Sequence, residues 1–240
     1  MNKIYLFDVD GTLTPSRQKM EESFKSFFID WLKGKMVFLV TGSDFIKLKE
    51  QIDEDVLFMV DGTFTSMGNE FFIDDKIIYS KNDKIPNDCI LFLHEELLNT
   101  KYPYLRGHNH FEHRVGMLNF STVGRDISFE DRKKYNEWDD IHHERESICE
   151  RFNESFKFLE YEAKIGGQIS IDIQKIGKDK SQVIDYLNGV YNQSEFIFFG
   201  DRTEKGGNDF DIANKIITES IGVVNQVSGP YNCLQKLKLY

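Results

Sequence analysis

"YLFDVDGTLTPSRQK", residues 5–19, sets an apolar run directly before two aspartates one residue apart, Asp8 and Asp10, and a glycine. Ile4 to Phe7 has the continuous apolar character of a parallel strand buried on both faces, and Gly11 falls where the chain has to turn. Carboxylates at the end of such a strand stand where open α/β sheets bind ligands. Working outward, Met20, Phe24, Phe27, Phe28, Trp31 and Leu32 recur at helical spacing, and the aromatic members of that set read as core. "MVFLVTGSD" (36–44) reads as a second buried strand, with Ser43 or Asp44 capping a helix that carries Phe45, Leu48 and Ile52. "VLFMVDG" (56–62) reads as a third. The alternation predicts an α/β fold with a doubly wound parallel sheet.

After about residue 80 the pattern changes. "DKIPNDCILFLHEELLN" predicts a helix behind a proline, "RVGMLNFSTVG" a strand, and "FLEYEAKIGGQISIDIQKIG" strands in strict alternation. Ser128 and Asp131 resemble a capping box opening a helix with Phe129, Tyr135 and Trp138, and Ile141 to Phe156 reads as another helix. Phe71 and Phe72 fall in "NEFFIDDKIIYS", which reads as a hairpin near the junction. From Asp179 the α/β pattern returns with a helix through Val183, Ile184 and Leu187, the buried strands "EFIFFGD" and "SIGVVNQV", and a last helix. The expected organisation is a core domain of residues 1–80 and 178–240, interrupted by an α+β insert over 81–177.

The 240 residues are 40% hydrophobic, ample for a real core, and carry a formal net charge of −10 with no concentrated basic stretch. That balance excludes a nucleic-acid or anionic-membrane surface, so any anionic ligand needs a local positive cluster. Cys89, Cys149 and Cys233 are odd in number and scattered, which suggests neither a disulfide framework nor a zinc site and fits the reducing cytosol. The spacing of His108, His110 and His113 in "GHNHFEH" fits no common zinc pattern. No apolar segment approaches the roughly 20 residues of a membrane span, and the N-terminus has no signal-peptide pattern.

A carboxylate at Asp8 can be a nucleophile toward phosphorus, a metal ligand or an acid–base group; alone, the Asp-x-Asp-Gly pattern equally describes a capped turn. A nucleophilic Asp8 would need a divalent cation beside it, and Mg2+ takes oxygen ligands. Asp10, two residues on, would then protonate a leaving oxygen or deprotonate an attacking one. "FFGDRTEKGGND" ends another strand with Asp201 and brings a further acid at Asp209 toward the same sheet edge, where the acids repel unless a cation lies between them. Thr41 or Ser43 of "LVTGSD" offers a hydroxyl for a phosphoryl oxygen, and Lys180 of "GKDKSQ" a compensating charge.

"FDVDGTLT", "VTGSDF", the lysine of "GKDKSQ" and "FFGDRTEKGGND", in that order, resemble the four motifs of the haloacid dehalogenase superfamily of phosphoryl-transfer enzymes. The resemblance implies a Rossmann-type core under a cap domain. It also implies Asp8 as the nucleophile forming an aspartyl phosphate, Asp10 as general acid and base, and Mg2+ held by Asp8, the Asp10 carbonyl and Asp201.

A mutase, unlike a phosphatase, must also hold the phosphate at the far end of its substrate, and planar guanidiniums suit that task. The insert offers Arg114, Arg125 and Arg132, the last two flanking a helix N-terminus near Ser128. In "GGQISIDIQ", Ile169, Ile171 and Ile173 alternate with Ser170, Asp172 and Gln174, so a one-sided sheet would turn Ser170 and Asp172 toward a ligand.

"FDVDGTLTPSRQK", "RVGMLNFSTVGR", "EDRKKYNEWD", "GGQISIDI" and "FFGDRTEKGGND" together are similar to the eukaryotic-type α-phosphomannomutases over nearly the whole chain. That resemblance implies phosphate and sugar contacts from Arg17, Arg114, Met117, Asn119, Arg125, Arg132, Ser170 and Asp172, and a cytoplasmic homodimer joined through its caps. It implies interconversion of D-mannose 6-phosphate and D-mannose 1-phosphate with a hexose 1,6-bisphosphate as activator, feeding GDP-mannose synthesis. The chain departs from the family pattern at Val115, at Thr41-Gly42-Ser43, at Met59-Val60-Asp61-Gly62 and at Lys178-Asp179-Lys180. The rival readings are a sugar-phosphate phosphatase with the same nucleophile and a binding protein without catalysis.

Overall fold

The computed structural model describes residues 3–240. It divides into two compact units: one takes the chain up to Lys81 and from Gly177 onward, the other is Asn82–Ile176. In chain order the elements are β1 (Lys3–Phe7), α1 (Glu22–Leu32), β2 (Met36–Val40), α2 (Phe45–Gln51), α3 (Glu54–Leu57), β3 (Gly62–Thr65), β4 (Glu70–Ile73), β5 (Lys76–Ser80) and α4 (Asn87–Asn99). There follow β6 (Phe111–Arg114), β7 (Met117–Phe120), α5 (Phe129–His142), α6 (Glu144–Phe156), β8 (Tyr161–Gly166) and β9 (Ser170–Lys175). The chain ends with α7 (Gln182–Val190), β10 (Glu195–Gly200), α8 (Phe210–Thr218), β11 (Gly222–Gln226) and α9 (Pro230–Leu237). Among the described residues no helix is long and apolar enough to cross a membrane.

The first unit is a seven-stranded sheet in the order β11-β10-β1-β2-β3-β4-β5. The strands β11, β10, β1, β2 and β3 are parallel, and β4 with β5 closes one side as an antiparallel hairpin. This is the expected doubly wound α/β core. Its central strand is apolar from Ile4 to Phe7 because both faces are covered there: Tyr5 and Phe7 face α1 and α9, while Ile4 and Leu6 face α7 and α8. Phe7 stacks on Phe199 with ring centroids 4.7 Å apart and meets Phe28 and Trp31 edge-on, so the aromatics of α1 are core, as expected. Burying one such ring contributes about 1.5–3 kcal/mol. The strand order reverses at β1, between β2 on one side and β10 on the other, which puts the ligand crevice beyond the carboxyl ends of β1 and β10.

Two expectations for this unit need correction. The strand expected at 56–62 is instead the short helix α3 and a turn, and pairing begins only at Gly62. Asp53, Glu54 and Asp55 suit a helix start, and Val56 and Leu57 reach the core from the helix. At Gly62 a Cβ would lie 2.5 Å from the Phe71 ring and 2.9 Å from the Phe72 carbonyl, so the close approach to β4 requires glycine there. The last strand, β11, is not buried, because it pairs on one side only and lies at the sheet edge.

The second unit is a four-stranded antiparallel sheet, β6-β7-β9-β8, with α4 and α6 on one face. Leu118, Phe120, Ile171, Ile173 and Ala163 meet Cys89, Leu93, Ile148, Phe152 and Phe156 there. The segment read as one strand from Arg114 is a hairpin: Arg114 closes β6, Gly116 turns with φ +69°, and Met117 opens β7. The expected 141–156 helix is broken at His143, which adopts a left-handed backbone (φ +52°). Arg145 spans the break, with both its backbone N–H and its Nε donating to Asp139, the latter at 2.6 Å. Ser128 caps α5 as expected, accepting from the Asp131 N–H at 3.1 Å.

Candidate active site

The end of β1 lies beside the end of β10, and the Asp8 N–H donates to the Phe199 carbonyl at 2.9 Å. Parallel register thereby carries Asp8 and Asp201 to one sheet edge. Carboxylate oxygens of Asp8, Asp201 and Asp209 lie within 4.8 Å of one another. The Lys180 ammonium, fully buried, bridges two of them, 2.6 Å from Asp8 Oδ1 and 2.6 Å from Asp209 Oδ1. Asp8 Oδ2 is buried with no hydrogen-bond partner.

Electrostatics follow from that crowding. Burial and the Asp209 carboxylate push the Asp8 carboxyl well above the ordinary carboxylate range, against the pull of Lys180. Burial and Asp209 likewise raise Asp201 to about 6. Burial works against the charge on Lys180, yet Asp209 and Asp8 outweigh it and its pKa is raised. Three carboxylates against one ammonium leave the cluster acid-rich. Three carboxylates gathered within 4.8 Å, all hard oxygen donors, fit a divalent cation such as Mg2+.

The turn after β1 is shaped for close approach. Gly11 has φ +81°, and a Cβ on it would collide with the Asp201 carboxylate, so only glycine lets the two strand ends meet. Thr12 Oγ1 is buried without a partner. The Asp10 Oδ1 accepts from the Arg17 N–H at 2.7 Å and from Gln51 Nε2 at 2.9 Å. Thr41 stands just beyond β2, the neighbour of β1, and its hydroxyl accepts from the Ser43 N–H at 3.1 Å. The side chain of Asp44, not Ser43, caps α2, accepting from Lys47 N–H at 2.9 Å.

In the second unit, the sheet face away from α4 and α6 is polar. Glu112, Asn119, Asp172 and Lys164 form one cross-strand row by register. Glu112 takes the Nε of Arg114 on one oxygen and the Nε of Arg125 on the other, each at 2.7 Å. Arg125 also donates to Asn119 and, at 2.9 Å, to Ser170, and Arg132 donates to the Arg125 carbonyl. Asn119 donates to Asp172 at 2.5 Å. Met117 is buried on this face, opposite Arg114. Thus Arg114, Arg125, Arg132, Asn119, Ser170 and Asp172 belong to one network. The sequence leads to an open polar strand face, but Ser170 and Asp172 are buried, because Arg125 and Asn119 lie across them. Arg17 is exposed, on the first unit's loop.

The sequence model described as eukaryotic phosphomannomutase matches residues 24–239. The chain belongs to that family. A phosphomannomutase of Dendrobium officinale is 34% identical over 99% of this chain and 93% of its own length, and thereby includes the β1 motif. A phosphomannomutase of Nicotiana benthamiana is 36% identical over 87% of this chain and 84% of its own. Among solved structures, the IMP-bound, N-terminally truncated IMP-nucleotidase of Plasmodium falciparum aligns over all of this chain and 68% of its own, with a TM-score of 0.64 and 14% identity, which is a likeness of fold.

Family membership still leaves residues to be found by geometry. Asp209 belongs to the cluster as closely as Asp201 does, yet only Asp201 had a strand end to mark it as a ligand. Glu112 joins two arginines, and an alternation of Glu112 and Arg114 on one strand face was the available signal. Gln51 reaches Asp10 from α2, and nothing local in the sequence points to it.

Proposed function

We propose that this chain, a member of the eukaryotic phosphomannomutases, interconverts D-mannose 6-phosphate and D-mannose 1-phosphate through a phosphorylated Asp8. The observation that carries this reading is the buried Asp8, with one oxygen held by Lys180 and the other unpartnered at the carboxyl end of β1. In the proposed half-reaction Asp8 Oδ2 forms a bond to phosphorus while the phosphorus–oxygen bond to the sugar breaks. Asp10 gives its proton to the departing sugar oxygen, and in the reverse direction takes it back from the attacking hydroxyl. Lys180 fixes the rotamer of Asp8 and offsets its charge. The Thr41 and Ser43 hydroxyls, and Arg17, are assigned to the transferring phosphate and its substrate.

Asp8, Asp201 and the Asp10 carbonyl would hold Mg2+, which when bound supplies positive charge beside the nucleophile. What favours a mutase over a hydrolase is the second unit's polar face. Arg114, Arg125 and Arg132, with Met117, Asn119, Ser170 and Asp172, are assigned to the second phosphate and the sugar hydroxyls. A hexose 1,6-bisphosphate primes Asp8, and the product feeds GDP-mannose synthesis. Three free, buried cysteines suit a reducing, cytoplasmic setting. The exposed Leu91, Leu98, Tyr104 and Leu105 of the second unit suit a homodimer joined there, which light scattering would detect.

The test is to incubate the purified protein with Mg2+ and mannose 1-phosphate, with and without a hexose 1,6-bisphosphate, and to follow phosphorus NMR. Activator-dependent mannose 6-phosphate is expected. Inorganic phosphate as the main product would replace the mutase with a phosphatase.

A further inference from the structure

We propose that Gln51 is a positioning residue for the proton transfer. It holds the Asp10 carboxyl in one rotamer, with Oδ1 occupied by N–H donors and Oδ2 left to face the reacting sugar oxygen. The proposal rests on the reading of Asp10 as the general acid and base.

Gln51 closes α2 and is buried, only 6% exposed, so its side-chain amide needs partners inside the protein. Its Nε2 has two hydrogens and two acceptors: Asp10 Oδ1 at 2.9 Å and Thr14 Oγ1 at 3.3 Å. The Thr14 hydroxyl faces the Val9 carbonyl at 3.3 Å and gives its own hydrogen there, which leaves it an acceptor toward Gln51. An ionised carboxylate only accepts, so the amide nitrogen must be the end of Gln51 that faces Asp10. The same residue holds the loop by its main chain, where its carbonyl accepts from the Met20 N–H at 2.9 Å. Gln51 therefore ties the segment from Asp10 to Met20 to α2 at three points.

Asp10 Oδ1 meets a second donor, the Arg17 N–H at 2.7 Å, delivered by a left-handed backbone at Arg17 (φ +59°). That conformation is strained for a non-glycine residue, and the hydrogen bond to a carboxylate offsets the strain. With two N–H groups aimed at it, Oδ1 cannot also hold a proton, since a hydrogen would meet a hydrogen. The proton must ride on Oδ2. In the transfer step the phosphorus–oxygen bond to the sugar breaks, the electron pair goes to that sugar oxygen, and the proton on Oδ2 follows. Loss of the Gln51 donor frees Oδ1 to be protonated and frees the carboxyl to rotate, so the acid is misplaced although Asp10 remains.

General-acid help is worth much when the leaving oxygen is a sugar alkoxide and little when it is already a weak base, as in acetyl phosphate. This provides the test. Single-turnover phosphorylation of the Mg2+-loaded enzyme is timed with a hexose 1,6-bisphosphate and with acetyl phosphate, for wild type, Gln51→Leu, Gln51→Asn and Asp10→Asn. Expected for Gln51→Leu is a loss of about 10- to 100-fold with the sugar donor and under about threefold with acetyl phosphate. Gln51→Asn, one methylene short of both acceptors, should follow it, and acetyl phosphate turnover reports that each variant is folded. Equal loss with both donors would make Gln51 a merely structural residue and overturn the proposal. So would unchanged rates with the sugar donor in either variant. Asp10→Asn separates the two ideas: if it shows no difference between donors, the acid–base reading itself fails, whereas selectivity in Asp10→Asn alone sinks only the role of Gln51.

Discussion

Replacing Lys180 by methionine removes the single ammonium from a cluster of three carboxylates while keeping the length of its side chain. Lys180 has no exposed surface, and its partners Asp8 and Asp209 are 3% and 0% exposed at the side chain. Both contacts are 2.6 Å, short charge-assisted bonds. Breaking a buried pair by deleting one partner costs about 3–5 kcal/mol, because the surviving charge stays desolvated. For a chain of this size each kcal/mol shifts the midpoint by about 2–4 °C, so Lys180→Met should melt about 6–20 °C below wild type at pH 7.5 in EDTA. The loss must also depend on pH. Deleting the lysine raises the carboxyl pKa values further. A carboxyl with a raised folded pKa gives stability that is complete below its unfolded value and lost as pH rises through the folded one. The gap to wild type should therefore narrow as pH falls from 7.5 to 5. A decrease under about 3 °C at pH 7.5, or a gap independent of pH, would refute the charge-bridging role of Lys180.

Other outcomes follow from the same geometry. In EDTA, the Asp201 carboxyl at about 6, against an ordinary 3.8, withdraws up to about 3 kcal/mol of stability as pH rises through 6. Asp201→Asn should remove that slope from the melting profile, and Mg2+ should raise the wild-type midpoint more at pH 7.5 than at pH 5. Gly11→Ala should lose at least tenfold in activity together with about 1–2 kcal/mol of stability, since it strains a φ of +81° and drives a methyl into Asp201; urea denaturation and a coupled assay read the two effects. Glu112→Gln leaves the Nε groups of Arg114 and Arg125 without a shared carboxylate, and KM for mannose 1-phosphate should rise about tenfold with kcat within about threefold, as steady-state kinetics would show.

The core of this fold was legible because its strands are apolar on both faces and end in acids. Ile4 to Phe7 and Glu195 to Gly200 read as buried parallel strands because each short apolar run leads directly into an acid, and their register sets Asp8 beside Asp201. "VLFMVDG" misled because a short apolar run has no period, and three acids ahead of Val56 turned it into helix. The edge strand β11 has the composition of a buried one, and only the sheet order shows that it has one neighbour. In the second unit the alternation of Ser170 to Gln174 located the polar face correctly, but the layer of Arg125 and Asn119 across it comes from other strands and loops. Gln51 escaped because Asp10, on which it acts, is remote in sequence, and Glu112 because its second partner, Arg125, lies beyond the hairpin.

The most direct measurement is chemical trapping of the acyl phosphate. Protein mixed with a hexose 1,6-bisphosphate and Mg2+ is quenched with borohydride, which reduces an aspartyl phosphate to homoserine, and the peptides are read by mass spectrometry. Homoserine at position 8, absent in Asp8→Asn, is the expected result. An unmodified Asp8 under turnover, or modification confined to Asp10, Asp201 or Asp209, would contradict the account.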